Sequence, residues 1–221
     1  MRRSKVFRHQ PRIGGATTVR RLLATLTVVL ACRPQEAMAH HMLGGELPSS
    51  MLGGFLSGLA HPVLGPDHLA FILAIGILAA ALVRGSTVPL VFLSASLAGC
   101  VLRLTSISVA GGEVAVAVSV IAAGVFLAVD RNLRRPLLVA GVALAGALHG
   151  YVYGESIVGT ERTPIVGYLL GLAVIQYAVA MAAFAVARRL HDGALPGRDI
   201  AMRAAGIAVG LIGVVALSLA L

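Results

Sequence analysis

The chain has 221 residues, 58% of them apolar and only 12% charged, with a mean hydropathy of +0.92. Soluble domains are nearer half apolar and a quarter charged, and the two cysteines, Cys32 and Cys100, are too few for a disulfide scaffold. The net charge of +9 would suit nucleic acid, but eight of the eighteen basic residues, Arg2 to Arg33, lie within residues 1–39 beside the single acid Glu36. The rest of the chain is nearly balanced, so no nucleic-acid partner is expected.

Residues 1–39 carry the three parts of a secretory signal peptide: Arg20 and Arg21, an apolar run from Leu22 to Ala31, and Ala37-Met38-Ala39 as an A-x-A site. Ten residues at 1.5 Å each cover only ~15 Å, too short to cross a bilayer. Cleavage after Ala39 leaves residues 40–221 as a single integral membrane domain, with His40 on the outer side of a bacterial inner membrane.

The first long apolar block runs from Ser49 to Val83. It would extend about 52 Å as one helix, far more than a crossing needs. Within it lies HPVLGPDH, His61 to His68, whose prolines Pro62 and Pro66 disfavour a continuous helix. Five more blocks follow: Ser86–Leu104, Val114–Val129, Leu137–Tyr153, Ile165–Ala187 and Ile200–Leu221. If the first block is one crossing and His40 is outside, the cytoplasmic loops hold Arg84, Arg131, Arg134, Arg135, Arg188, Arg189, Arg198 and Arg203. The outer loops then hold only Arg103 and Arg162. Counting it as two crossings inverts that ratio, so the positive-inside rule selects six segments, both mature ends outside. The expected fold is an all-α, polytopic membrane helix bundle whose first segment is broken at the Pro/Gly motif.

Irregular backbone at membrane depth is tolerated only inside protein or beside a watery cavity, and ionisable groups there mark a substrate or ion path. The break contains His61, Asp67 and His68. Pro66 presets a new helix and puts Asp67 in its first turn, where the dipole favours a carboxylate. Two imidazoles and a carboxylate suit a borderline ion such as nickel, cobalt or zinc better than magnesium or calcium. A second group ends the fourth segment in LHGYVYGES. His149 and Tyr153 share a helix face there, Glu155 follows, and Gly150 and Gly154 form a small-residue ridge for close helix approach.

HPVLGPDH resembles the HPxxGxDH signature of the HupE/UreJ family, membrane proteins regarded as secondary nickel or cobalt permeases, and HGYVYGE resembles that family's second motif, HGxAxGxE. The resemblance extends from about residue 22 to 221. It implies that His61, Asp67 and His68 are the polar residues of the first motif, and that His149 and Glu155 belong to the second. Val152 stands where the family usually has Ala, and Tyr153 where many nickel-associated members have a second histidine. A phenol, with a pKa of ~10, is a poorer ligand than imidazole, so nickel against cobalt is left open.

The function expected is secondary transport of Ni²⁺ or Co²⁺, with Zn²⁺ as an alternative occupant and no permanently bound cofactor. His40 and His41 would gather the ion outside, with binding weakening as pH falls through the histidine range. His61, Asp67 and His68 would then receive it, and His149 and Glu155 would complete or follow that site. Membrane lipid is the other expected partner, and self-association into a homo-oligomer is left open. The rival readings are an intramembrane zinc enzyme, for which Glu155 is the sole candidate base, and a metal-binding accessory protein that does not transport. No GxxxxGK[ST] loop is present, so ATP hydrolysis is not expected. Cys100 reads as a buried apolar residue, and Gly167-x-x-x-Gly171 and Gly206-x-x-x-Gly210 as helix-packing ridges.

Overall fold

The computed structural model describes residues 47–105, 108–129, 134–193 and 198–221. The signal-peptide region, His40 and His41 lie outside the described residues. Those described are helical, with no strand among them. Helix α1 covers Met51–Leu64 and α2 Pro66–Ala80. A 3-10 turn at Gly85–Thr87 leads into α3, Val88–Leu104, followed by α4, Gly112–Val129. Then come α5, Arg135–Glu155, α6, Arg162–Asp192, and α7, Arg198–Ala220. The five apolar helices after the break, counting the 3-10 turn with α3, are 18 to 31 residues long, enough to cross a bilayer. This is an integral membrane protein.

The break falls at Gly65. Ser50 caps α1 by accepting from the Gly53 amide at 3.0 Å, and the helix continues through Pro62 to Leu64. Pro62 removes one intrahelical bond but does not end the helix. Pro66 does, because the residue before a proline is pushed out of the helical region. Gly65 accordingly has φ −85° and ψ 105°. The two helices meet there at a bend of 81°. At 14 and 15 residues, each half is only about 22 Å long, short of the ~30 Å hydrocarbon layer.

Contacts at glycine fix the helix directions. Along α1, Gly54 meets Pro164, and Gly58 meets Tyr168 and Leu172, in the same order along α6. These helices are parallel. Gly99 of α3 meets Ala147 and Tyr151, while Gly150 and Gly154 of α5 meet Ser96 and Cys100, again parallel. Helices α4 and α7 are antiparallel, since Gly206 meets Ala128 and Gly213 meets Ala117 and Ile121. Alternating crossings satisfy all three pairings only if α1 and α2 count as one span. As two spans, α1 would be first and α6 sixth, hence antiparallel.

The path along α6 agrees. Gly76 of α2 packs on Ala180 and Phe184, and Arg188 Nη1 donates to the Ala80 carbonyl at 3.1 Å. From Gly54 to Ala80 the broken span therefore advances along α6 from Pro164 to Arg188 without turning back. The six spans bring the two ends of the described chain to the same face of the bundle. Many of these glycines serve backbone contact. A Cβ at Gly54, Gly58, Gly167 or Gly171 would run into a carbonyl across the α1–α6 interface, and Gly150 is in the same position against Ser96.

Candidate functional site

His61 lies in the last turn of α1 and His68 in the first turn of α2, so the break at Gly65 folds them toward each other, with ring centroids 5.9 Å apart. Only glycine permits this. A Cβ at position 65 would stand 2.6 Å from His68 Cδ2 and 3.3 Å from Asp67 Oδ1. Helix α5 supplies His149 and Tyr153 from one face, and both are fully buried. The Tyr153 ring stands against the other rings, at 4.5 Å from His68, 5.1 Å from His61 and 6.3 Å from His149. Phe71, one turn along α2 from His68, stacks on His149 at 4.3 Å and 27°. Asp67 is half-buried at the start of α2.

The hydrogen bonds define which nitrogens face the centre. Ser119 of α4 gives its hydroxyl proton to the Val116 carbonyl at 2.7 Å. Its oxygen must then accept from His149 Nε2, 2.9 Å away. The neutral His149 ring therefore carries its lone pair on Nδ1, which faces His68 Nδ1 at 3.1 Å, and His68 is the donor of that bond. A parallel arrangement holds His61. The Tyr153 carbonyl, near the α5 terminus, accepts from Ser156 Oγ at 2.9 Å and Tyr168 Oη at 3.0 Å. His61 Nδ1 joins the same network, 2.9 Å from Tyr168 Oη and 3.3 Å from Ser156 Oγ, and Ser156 Oγ also lies 3.1 Å from Tyr168 Oη. Two histidines thus have one nitrogen tied through a hydroxyl to a backbone carbonyl, an arrangement that orients the ring, as around metal-ligating histidines.

Among the described residues no group of three His, Cys, Asp or Glu side chains converges closely enough to hold an ion. His68 and His149 are brought together, His61 is one ring away, and Glu155 is elsewhere. Its carboxylate pairs with Arg103 Nε at 3.4 Å, and its side chain is 39% exposed. Arg103 also lies over the Tyr151 ring, 5.5 Å from its centroid. Counted residue by residue, the last place of HGxAxGxE falls on Ser156, not Glu155, so the assignment of Glu155 to that place is corrected by one residue. Ser156 is the residue turned toward His61. Sequence reasoning also passed over Ser119, Tyr168 and Gln176. Gln176 was detectable, because a lone amide inside the apolar block Ile165–Ala187 has to find a partner there, and its Nε2 donates to Ser96 Oγ at 3.0 Å.

The fold and this centre define a polytopic helical membrane protein with a polar, histidine-rich site buried beside a broken span. Within that class, the chain belongs to the HupE / UreJ protein family, whose model matches residues 27–216. It is 25% identical to Protein HupE of Rhizobium leguminosarum bv. viciae over 197 residues, 84% of this chain and 97% of that protein. No solved structure matches it.

Proposed function

We propose that this protein is a secondary permease for a divalent transition-metal cation, Ni²⁺ or Co²⁺, and that His68 and His149 are the first pair of ligands the ion meets inside the membrane. The observation carrying this reading is the contact between the two Nδ1 atoms. Their separation of 3.1 Å matches the span of two metal–nitrogen bonds of about 2.1 Å meeting near a right angle. That angle belongs to square-planar and octahedral sites more than to tetrahedral ones. For both to bind the ion, His68 must carry its proton on Nε2 instead, and the two rings must turn so that their Nδ1 lone pairs meet off the line that joins them. His61 and Asp67 flank the pair and supply further donors as the ion passes, while His149 and His61 keep their tethers to Ser119 and Tyr168.

A site that offers two nitrogens at once, rather than a closed cage, suits a carrier, because the ion must shed water and yet leave again. The reading places the protein in a bacterial inner membrane with both mature ends outside, which the arginine distribution supports. His40 and His41 collect the ion at that surface. Membrane lipid surrounds the bundle, no catalytic step is assigned, and the membrane potential drives a divalent cation inward by roughly 4.6 kcal/mol per 100 mV.

One observation favours a second reading, binding without transport. Beyond Phe71 the core is a continuous apolar cluster with Ile75, Leu78, Phe92, Val120 and Leu127, which closes the way past α2. Flux of Ni²⁺ and Co²⁺ into proteoliposomes separates the two. A permease accumulates metal, and His68→Ala reduces accumulation to that of empty vesicles. Metal binding in detergent with no flux would overturn transport.

A further inference from the structure

Tyr153 Oη and Gln176 Oε1 are buried side-chain atoms that complete no hydrogen bond among the described residues. The residues themselves are 0% and 1% exposed. The Gln176 amide lies beside the Tyr153 phenol, and its orientation is set from the other side, where Nε2 donates to Ser96 Oγ at 3.0 Å. Its Oε1 is left to accept. Buried polar atoms without partners are rare enough that such a pair calls for an explanation, and water ordinarily satisfies buried polar groups that lack a protein partner. Tyr153 also borders the histidines, its ring 4.5 Å from that of His68.

We propose that Tyr153 Oη and Gln176 Oε1 form a docking position, on α5 and α6, for water molecules still bound to the cation at the His68–His149 pair, so that the site admits a partly hydrated ion. This rests on the reading of that pair as a metal site. The chemistry follows from the donors present. An amide oxygen and a phenol oxygen are weak metal ligands but good acceptors, and a cation makes its bound water a stronger donor. A six-coordinate ion that keeps water gains from both acceptors. Zn²⁺, which favours four ligands in a tetrahedron, brings fewer waters and gains less. Gln176 and Tyr153 are thus specificity-determining residues that act through water, while the imidazoles supply the direct bonds.

The test uses the full chain purified in detergent, carrying His40→Ala and His41→Ala so that the N-terminal imidazoles do not contribute. Binding of Ni²⁺, Co²⁺ and Zn²⁺ is measured by calorimetry, and the visible absorption of bound Co²⁺ reports its coordination number. Tyr153→Phe and Gln176→Leu are expected to weaken Ni²⁺ and Co²⁺ by about tenfold, the loss of one good hydrogen bond, with Zn²⁺ changed less than about twofold. Their Co²⁺ spectra should move from weak six-coordinate bands toward intense four-coordinate bands, and Gln176→Glu, which keeps an oxygen acceptor, should restore the ion preference. Equal weakening of all three ions, or no change in preference and spectrum, would overturn the proposal. If Gln176→Leu does not fold, Tyr153→Phe, which removes only a hydroxyl, decides the matter. His68→Ala separates the two levels. Loss of all binding there, with preference unmoved in Tyr153→Phe, defeats only the water site, whereas unchanged binding in His68→Ala defeats the metal site itself.

Discussion

The two halves of the broken span pack into different kinds of interior. Around α1 the core is laced with polar groups: His61, Ser156, Tyr168 and the Tyr153 carbonyl are joined by hydrogen bonds of 2.9 to 3.3 Å. Around α2, past Phe71, it is dry, with Ile72, Ala74, Ile75 and Leu78 packed on Val88, Phe92, Val142 and Ala180. The grip on α6 differs too. Helix α1 meets it through Gly54, Gly58, Gly167 and Gly171, but α2 meets it through Gly76 alone among its glycines. The contrast teaches that the close backbone approach of α1 leaves room beside it for a satisfied polar network, whereas α2 is held mainly by apolar side chains, with the Gly76 contact and the bond from Arg188 to the Ala80 carbonyl fastening its far end.

The predictions that break or sharpen this contrast follow in falling order of effect. His68→Ala removes one of the two facing nitrogens and should bring metal uptake in whole cells to background; residual uptake above a tenth of the wild-type level would refute the pairing. Phe71→Ala empties the seam between the halves and should cost about 3–5 kcal/mol of stability in chemical denaturation. A cost under about 1 kcal/mol would mean that the dry half is loosely packed. Ser119→Ala cuts the tether of His149 to the Val116 carbonyl and should weaken Co²⁺ binding 10- to 100-fold on the scale seen for outer-shell partners, with thermal stability falling only slightly. Glu155→Gln breaks a partly exposed ion pair with Arg103 and should change stability by less than about 1 kcal/mol and metal binding not at all; a large loss of binding would return Glu155 to the site.

The spans were legible because apolar run length and arginine placement are read directly by the bilayer. Block Ile165–Ala187 became the core of α6, with only the helix ends extending beyond it to Arg162 and Asp192. The existence of a break was legible from Pro62 and Pro66, but its place was not. Both prolines break the same rule, and only the extended backbone of Gly65 separates a tolerated proline from a terminating one. The approach of His61, His68 and His149 was partly legible, since α5 periodicity put His149 and Tyr153 on one face. Their hydroxyl tethers were not. Ser119 and Tyr168 come from two other segments and Ser156 from the cap of α5, and no local pattern records which hydroxyl faces inward. Glu155 shows the converse: a charged residue beside a glycine draws attention, yet one position along a helix turns a side chain by about 100°, enough to exchange Glu155 for Ser156.

That same angular arithmetic gives Gly65 a role beyond making room for an imidazole. It is the joint that sets the rotational phase of α2 relative to α1. One residue inserted or deleted there would turn everything after it by about 100° about the axis of α2, swinging His68 away from His149 and aiming Phe71 off its stacking partner. The spacing between His61 and His68 is therefore as much a part of the buried centre as the side chains themselves, and a chain that kept every histidine but lost that count would lose the centre.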